Sequence, residues 1–287
     1  MILTEFINDT RFGLRLLRRN PGFAVVAVLS LGLGIGGATA VFTLINAIVL
    51  RRLPVPEARQ LVQAHAIAPG REYGDIFSAP LFEHARDALA STHAAELFAA
   101  TGPAGMQLQP DGEAIGARGN VQLVSGEYFA ALRQQPQVGR LFAPSDNATL
   151  GAHPVAVVSD GYWRRRLSAA TDAVGRPLWI NGTAFTIVGV TQPEFFGTTL
   201  GLRAPDVWIP YQMQATVRYS QNASNSDRAD TRKPWSPQPD ISWLNVFARV
   251  PAAGSSGAEA MFTTVLHRDR ETRLAVASTA RRVSRSR

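Results

Sequence analysis

From Gly22 to Leu50 the chain runs for 29 residues without a charge, GFAVVAVLSLGLGIGGATAVFTLINAIVL, with Ser30, Thr39, Thr43 and Asn46 as its strongly polar interruptions. At 1.5 Å per residue such a helix is roughly 43 Å long, more than the ~30 Å hydrocarbon core of a bilayer. A stretch that is apolar on every face has no side to offer water, so the run predicts one transmembrane helix over residues 21–50. Two other readings compete. A core helix seldom needs so long a run, and a cleaved signal peptide is suggested by the small-x-small triplet Ala38-Thr39-Ala40. Against cleavage, the apolar run continues for ten residues beyond Ala40.

Residues 1–20 place Leu3, Phe6, Ile7, Leu14 and Leu17 at helical spacing, with Asp9, Arg11, Arg15, Arg18 and Arg19 mostly elsewhere. This predicts a cytoplasmic amphipathic helix lying on anionic membrane lipid. It ends at Asn20-Pro21, because the residue before proline is pushed out of the helical region. Four Arg precede the span and two, Arg51 and Arg52, follow it. That asymmetry favours an amino terminus inside and the main domain outside. Within the span, Gly32, Gly36 and Ala40 form a stripe of small residues four apart, the pattern that lets helix backbones approach in lipid, so they are the candidate helix-packing residues. The same glycines superficially match a dinucleotide fingerprint, but no strand and turn precede them.

The chain is 287 residues long with a formal charge of +7. Taken alone, that figure invites a nucleic-acid reading. The charge is not in the body of the chain. Residues 1–52 hold six Arg against Glu5 and Asp9, residues 262–287 hold seven Arg against Asp269 and Glu271, and the segment between carries 16 basic against 18 acidic residues. The basic tail also lacks aromatic interleaving for base stacking, so no nucleic-acid partner is expected. The complete absence of cysteine removes disulfides, thiolate nucleophiles and Cys-based zinc sites together.

After the stiff segment Leu53-Pro54-Val55-Pro56, short helices and strands alternate over residues 51–250. Helices are predicted over Ala79–Ala90, capped by Ser78, over Glu127–Arg133, capped by Ser125, and from Asp160 onward. Strands are predicted within Met106–Val124, broken at Pro110-Asp111-Gly112, and over Pro154–Val158, Val207–Pro210 and Trp243–Val250. Pro177–Val190 reads as a hairpin turning at Asn181-Gly182, the preferred pair for a type I′ turn. Residues 217–240 are polar and breaker-rich and predict a long exposed loop. The class is α+β, one N-terminal transmembrane helix followed by an extracytoplasmic mixed domain with antiparallel hairpins. Residues 251–287 predict a basic, disordered tail.

The pieces Arg18-Arg19-Asn20-Pro21-Gly22-Phe23, Leu31-Gly32-Leu33-Gly34-Ile35-Gly36 and Leu50-Arg51-Arg52-Leu53-Pro54 resemble the first span of ABC-transporter permeases of the macrolide-exporter (MacB/FtsX-like) type. They are most similar to the acidobacterial-type duplicated permeases. Val124-Ser125-Gly126-Glu127-Tyr128-Phe129, Val138-Gly139-Arg140-Leu141-Phe142, Val155 to Trp163, and Asn181-Gly182 on to Pro193, Phe195 and Gly197 resemble that family's periplasmic core domain in order. The resemblance covers about residues 10 to 250. It implies a permease subunit in a bacterial inner membrane, with other permease chains and a separate ATPase as partners. Intact relatives continue into three more spans and a cytoplasmic coupling element, whereas here Gly254-Ser255-Ser256-Gly257 leads into Arg-rich sequence. The expectation is therefore a partial subunit acting through assembly and partner docking. The alternative is a stand-alone membrane-anchored extracytoplasmic binding module.

No catalytic, cofactor or metal site is expected. His65, His84, His93, His153 and His267 are scattered, and no His-Glu-x-x-His, calcium loop, Gly-x-Ser-x-Gly elbow or Walker loop occurs. Glu83 and His84, adjacent on a helix, face different sides of it. Arg164, Arg165 and Arg166 fan around most of a helix and predict a solvated face. Of Trp163, Trp179, Trp208, Trp235 and Trp243, most are expected in or beside the core. The triplets at Asn147, Asn181 and Asn222 match a glycosylation pattern, and Asn181 already has a turn to explain it.

Overall fold

In the computed structural model, the described residues are 19, 21–45, 55–68, 71–73, 76–111, 113–198, 204–222, 229–251 and 257–268. The chain divides into two compact units, Met1–Arg52 and Leu53–Arg287. The amphipathic helix expected over residues 1–20 and the basic sequence after residue 268 lie outside the described residues, apart from Arg19.

In the first unit, α1 (Pro21–Ile45) is an uninterrupted helix of 25 residues, about 37 Å by its rise. Its stretch Ala24–Thr43 is long and apolar enough to cross a membrane. All side chains from Val28 to Thr43 are exposed, Leu33 by 81%. Two of its polar residues bond back to the helix. Thr39 Oγ1 donates to Ile35 O and Thr43 Oγ1 to Thr39 O, each at 2.7 Å, so both hydroxyls are satisfied within the helix.

The second unit starts with β1 (Leu61–Gln63) and the hairpin of β2 (Ala66–Ala68) and β3 (Arg71–Tyr73). Next come β4 (Ile76–Phe77), α2 (Ala79–Ser91), β5 (Glu96–Ala100), β6 (Ala104–Pro110), β7 (Ala117–Val124) and α3 (Tyr128–Ala131). These are followed by β8 (Pro136–Gly139), β9 (Val155–Val158), α4 (Asp160–Arg166), β10 (Pro177–Ile180) and β11 (Thr183–Thr191). The unit is completed by β12 (Val207–Pro210), α5 (Gln214–Val217), β13 (Leu244–Arg249) and α6, residues 257–268.

Six of these strands pair in the order β7-β12-β9-β11-β10-β6, and β6 pairs back with β7, which closes the ring. The β7–β12 and β9–β11 contacts are parallel and the other four antiparallel. Closure leaves the ring without a free edge. The edge of β7 that carries β6 also receives Ala100 of β5, so β5 and β13 extend the sheet sideways to β1.

Buried strands with two apolar faces divide their side chains by a period of two. Val121, Leu123, Ala156, Val158, Val207 and Ile209 belong to one core cluster, together with Leu108, Leu178, Ile180 and Phe185. Their neighbours Val124, Val157 and Trp208 belong to a second, with Tyr128 and Phe129 of α3. α2 covers the first cluster with Leu81, Phe82, Ala85 and Leu89, as its spacing predicts. The Asn181-Gly182 turn forms as expected, with φ of 47° and 85°.

Several expectations change. Ser78 stands at the start of α2 with extended backbone, but its side chain makes no capping bond. Ser125 does not cap α3 with its hydroxyl, which instead accepts from Ala99 N at 3.1 Å. Residues 217–240 are not simply an exposed loop. Trp235 is fully buried and Tyr219 nearly so, with Trp235 N donating to Gln214 Oε1 at 3.0 Å and its ring 5.7 Å from that of Trp243. Burial here rests on two aromatic residues within a polar segment, which composition averages away. Nor does the tail become irregular at residue 251. α6 packs Ala258, Met261, Phe262, Val265 and Leu266 on the first core cluster, and Phe262 meets Phe77 edge-on at 5.7 Å. Those positions recur at helical spacing, and burying them outweighs the arginine-rich composition that follows.

Candidate functional site

The family-like motifs converge on one wall of the ring. Tyr128 and Phe129, on α3, lie 5.2 Å apart and meet Phe98, Phe142, Phe195 and Trp208 at centroid distances of 5.5 to 5.9 Å. Mostly edge-on or tilted geometry suits the ring quadrupoles. Tyr128 OH accepts from Thr198 N at 3.1 Å and donates to Gln122 Oε1, which also accepts from Trp208 Nε1 at 2.9 Å. Burial pushes the Tyr128 hydroxyl up to about 12. Gly139 has φ +71°, and a Cβ there would lie 2.3 Å from Val188 O. Arg140 grips Asp146 through two bonds of 2.6 and 2.8 Å, and Ala143 N donates to the same carboxylate. Burial pushes the Asp146 carboxyl upward, but Arg140 and the Ala143 amide outweigh it and hold the group below the usual carboxylate range. These motif residues therefore build a wall.

The polar chemistry lies elsewhere. A cleft of about 760 Å³ is lined by parts of α2, β5, α3 and the end of β13. Arg86 pairs with Asp87 and with Glu127, and Arg133 pairs with Glu96 through bonds of 2.8 and 2.9 Å. The pairs leave the rim near electrical balance. Arg249 also lines the cleft, and its side chain is only 3% exposed. Its Nε donates to Ala131 O at 2.6 Å, Nη2 to Pro56 O at 3.1 Å, and Nη1 to Glu57 O at 3.4 Å and Gln60 Oε1 at 3.3 Å. Burial lowers the guanidinium's affinity for its proton, yet a group with so high an ordinary value stays charged.

Among the described residues no three His, Asp or Glu gather as a metal-binding group. Glu83 accepts from Tyr211 OH at 2.6 Å. The three arginines of α4 are individually paired, Arg164 with Asp160, Arg165 with Asp206 and Arg166 with Glu113, so that face is tied to its surroundings. Trp163, Trp208, Trp235 and Trp243 are buried, while Trp179 is 42% exposed. Asn147 is buried and accepts from Gln212 N at 3.1 Å. Gly32 and Gly36 have no other atom within 4 Å of an added Cβ, and with Ala40 they lie on the exposed surface of α1. Sequence reasoning missed Arg249, because a cation ending an apolar strand gives no sign of which carbonyls the fold will bring to it.

Residues 24–261 match the MacB-like periplasmic core domain. The chain belongs to this family. The MacB-like periplasmic core domain match opens within α1 and closes within α6, extending the sequence resemblance at its carboxyl end from about residue 250 to Met261. Membership makes the chain a membrane component of the ABC-transporter permease class, with a mixed extracytoplasmic domain behind one candidate membrane helix. Similar solved structures include two transporter domains. The extracellular domain of the noncanonic ABC-type transporter YknZ from Gram-positive bacteria is 11% identical, over 70% of this chain and 88% of that one, with a TM-score of 0.47. The periplasmic region of MacB from Actinobacillus actinomycetemcomitans is also 11% identical, over 74% and 86%, with a TM-score of 0.48. No curated protein matches the chain.

Proposed function

We propose that this MacB-like chain is a permease subunit of an ABC-type export system in a bacterial inner membrane. Its amino terminus is cytoplasmic and its main domain faces out. It acts by assembly with other permease chains and a separate ATPase, and by docking partners on the outer domain. The observation that carries this reading is the unbroken family match from residue 24, inside the exposed apolar α1, through the outer domain to residue 261. Gly32, Gly36 and Ala40 serve as the helix-packing stripe, since small side chains let backbones approach where lipid supplies no hydrophobic drive. Membrane lipid covers the rest of α1.

Orientation is tested at Ser168, which is exposed in the outer domain of a chain that has no cysteine. In spheroplasts, Ser168→Cys should react with a membrane-impermeant maleimide. Reaction only after lysis would reverse the topology. Assembly is tested by purification from mild detergent, with recovery of an ATPase and a further permease chain as the expected result and their loss on Gly32→Leu plus Gly36→Leu. The cleft beside Arg249 favours a second reading, a stand-alone anchored binding module. Recovery of the chain without either partner would favour that reading.

A further inference from the structure

We infer that Arg249 is a positioning residue that makes the incoming and outgoing ends of the outer domain move as one body. The inference rests on the permease reading, in which displacement at the membrane has to reach the outer domain. Pro56, Glu57 and Gln60 are among the first described residues after α1, and Arg249 is the last residue of β13. Its guanidinium holds all three, through the carbonyls of Pro56 and Glu57 and the side-chain oxygen of Gln60. Its remaining bond goes to Ala131 O, at the end of α3.

The backbone reinforces the clamp. Leu61 and Arg249 are register partners, and Val250 N donates to Gln60 O at 2.9 Å. Two rigid routes lead from this point to the ring. One runs through β13 and β5, where Arg249 faces Glu96, and on to β7 at Ala100↔Val124. The other runs through α3, whose Tyr128 and Phe129 rings are packed against Phe98, Trp208 and Phe195. A segment without such a clamp would absorb a displacement by backbone rotation. Four bonds from a planar fork, nearly shielded from water, resist that rotation in several directions at once. Lysine, a point charge with three donors, cannot reach the same four acceptors.

The test uses the full chain in nanodiscs. Because the chain has no cysteine, Arg59→Cys and Val174→Cys, both at exposed positions, carry a unique pair of spin labels. The distance distribution between them should be narrow in the parent and about twofold broader in Arg249→Lys and Arg249→Met. Hydrogen exchange of Val155–Val158 and Thr183–Thr191 should stay at the parent's level, whereas amides of residues 57–64 should exchange about tenfold faster. Arg133→Lys, at an exposed ion pair, should change neither readout. Gln60→Ala removes a single acceptor and should broaden the distribution less, which keeps the test open if the Arg249 variants do not fold. An unchanged width in these variants would overturn the inference, and so would equal loss of protection in β9 and β11, the mark of a general stabiliser. Either result would leave the permease reading standing if the ATPase still co-purifies.

Discussion

Gly197 lies directly over the hydroxyl of Tyr128: a Cβ built on the glycine would fall 2.5 Å from that oxygen, and the residue sits at φ +74°. The close approach lets Thr198 N reach the hydroxyl and so closes the Gln122–Tyr128–Trp208 network from above. Gly197→Ala meets both a strained backbone and a collision, and should lower unfolding stability by about 2–4 kcal/mol. Gly182→Ala, at φ +85° but in open space, should lose only about 1 kcal/mol. Urea midpoints of the two variants check the order, and equal losses would mean that the contact with Tyr128 contributes nothing.

Asp146 contributes to the acid limb. Its folded pKa lies below the unfolded one, so its contribution is present above the ordinary carboxylate range and is lost as pH falls through that range toward the folded value. Asp146→Asn leaves Arg140 without a carboxylate and should lose about 1–3 kcal/mol at neutral pH. Its stability should then change less with pH than the parent's below roughly pH 4. Melting temperatures of both proteins across that range provide the check.

The alkaline limb belongs to tyrosine. Burial pushes the hydroxyls of Tyr128, Tyr162 and Tyr219 up to about 12. A raised folded pKa means that their contribution is intact below the unfolded value near 10 and is lost as pH rises from there through 12. Ultraviolet titration should therefore show tyrosinate from these residues appearing together with unfolding. Ionisation of all five tyrosines near pH 10 in a still-folded protein would contradict the burial.

α6 should behave as part of the domain. Phe262→Ala removes the edge contact with Phe77 and should lower stability by about 1–3 kcal/mol. A chain ending at Pro251 should bind more hydrophobic dye than the full chain, since the face under α6 is then uncovered. Equal dye binding would show that α6 covers nothing.

What could be read from the sequence was what local chemistry encodes. The Asn181-Gly182 hairpin needs only two residues able to adopt positive φ, and α2 needs only its spacing of Leu81, Phe82, Ala85 and Leu89. Ring closure was hidden, because the partners of β12 are β7 and β9, which lie far from it in sequence. The segment after Val217 was misread because its many polar residues masked the two aromatics that bury it. Arg249 was hidden for another reason: three of its four acceptors are backbone carbonyls, which every residue possesses.

The pairing of β1 with β13 also bears on how such a domain can be exchanged between proteins. Neighbouring antiparallel Cα atoms stand about 5 Å apart, so the chain comes back almost to the point where it set out. An outer domain with this base has its entry and exit side by side, although α6 follows the exit and packs back on the core of the domain. Joining residues 60 and 250 by a turn of a few residues tests how far the flanking segments depend on what lies between them.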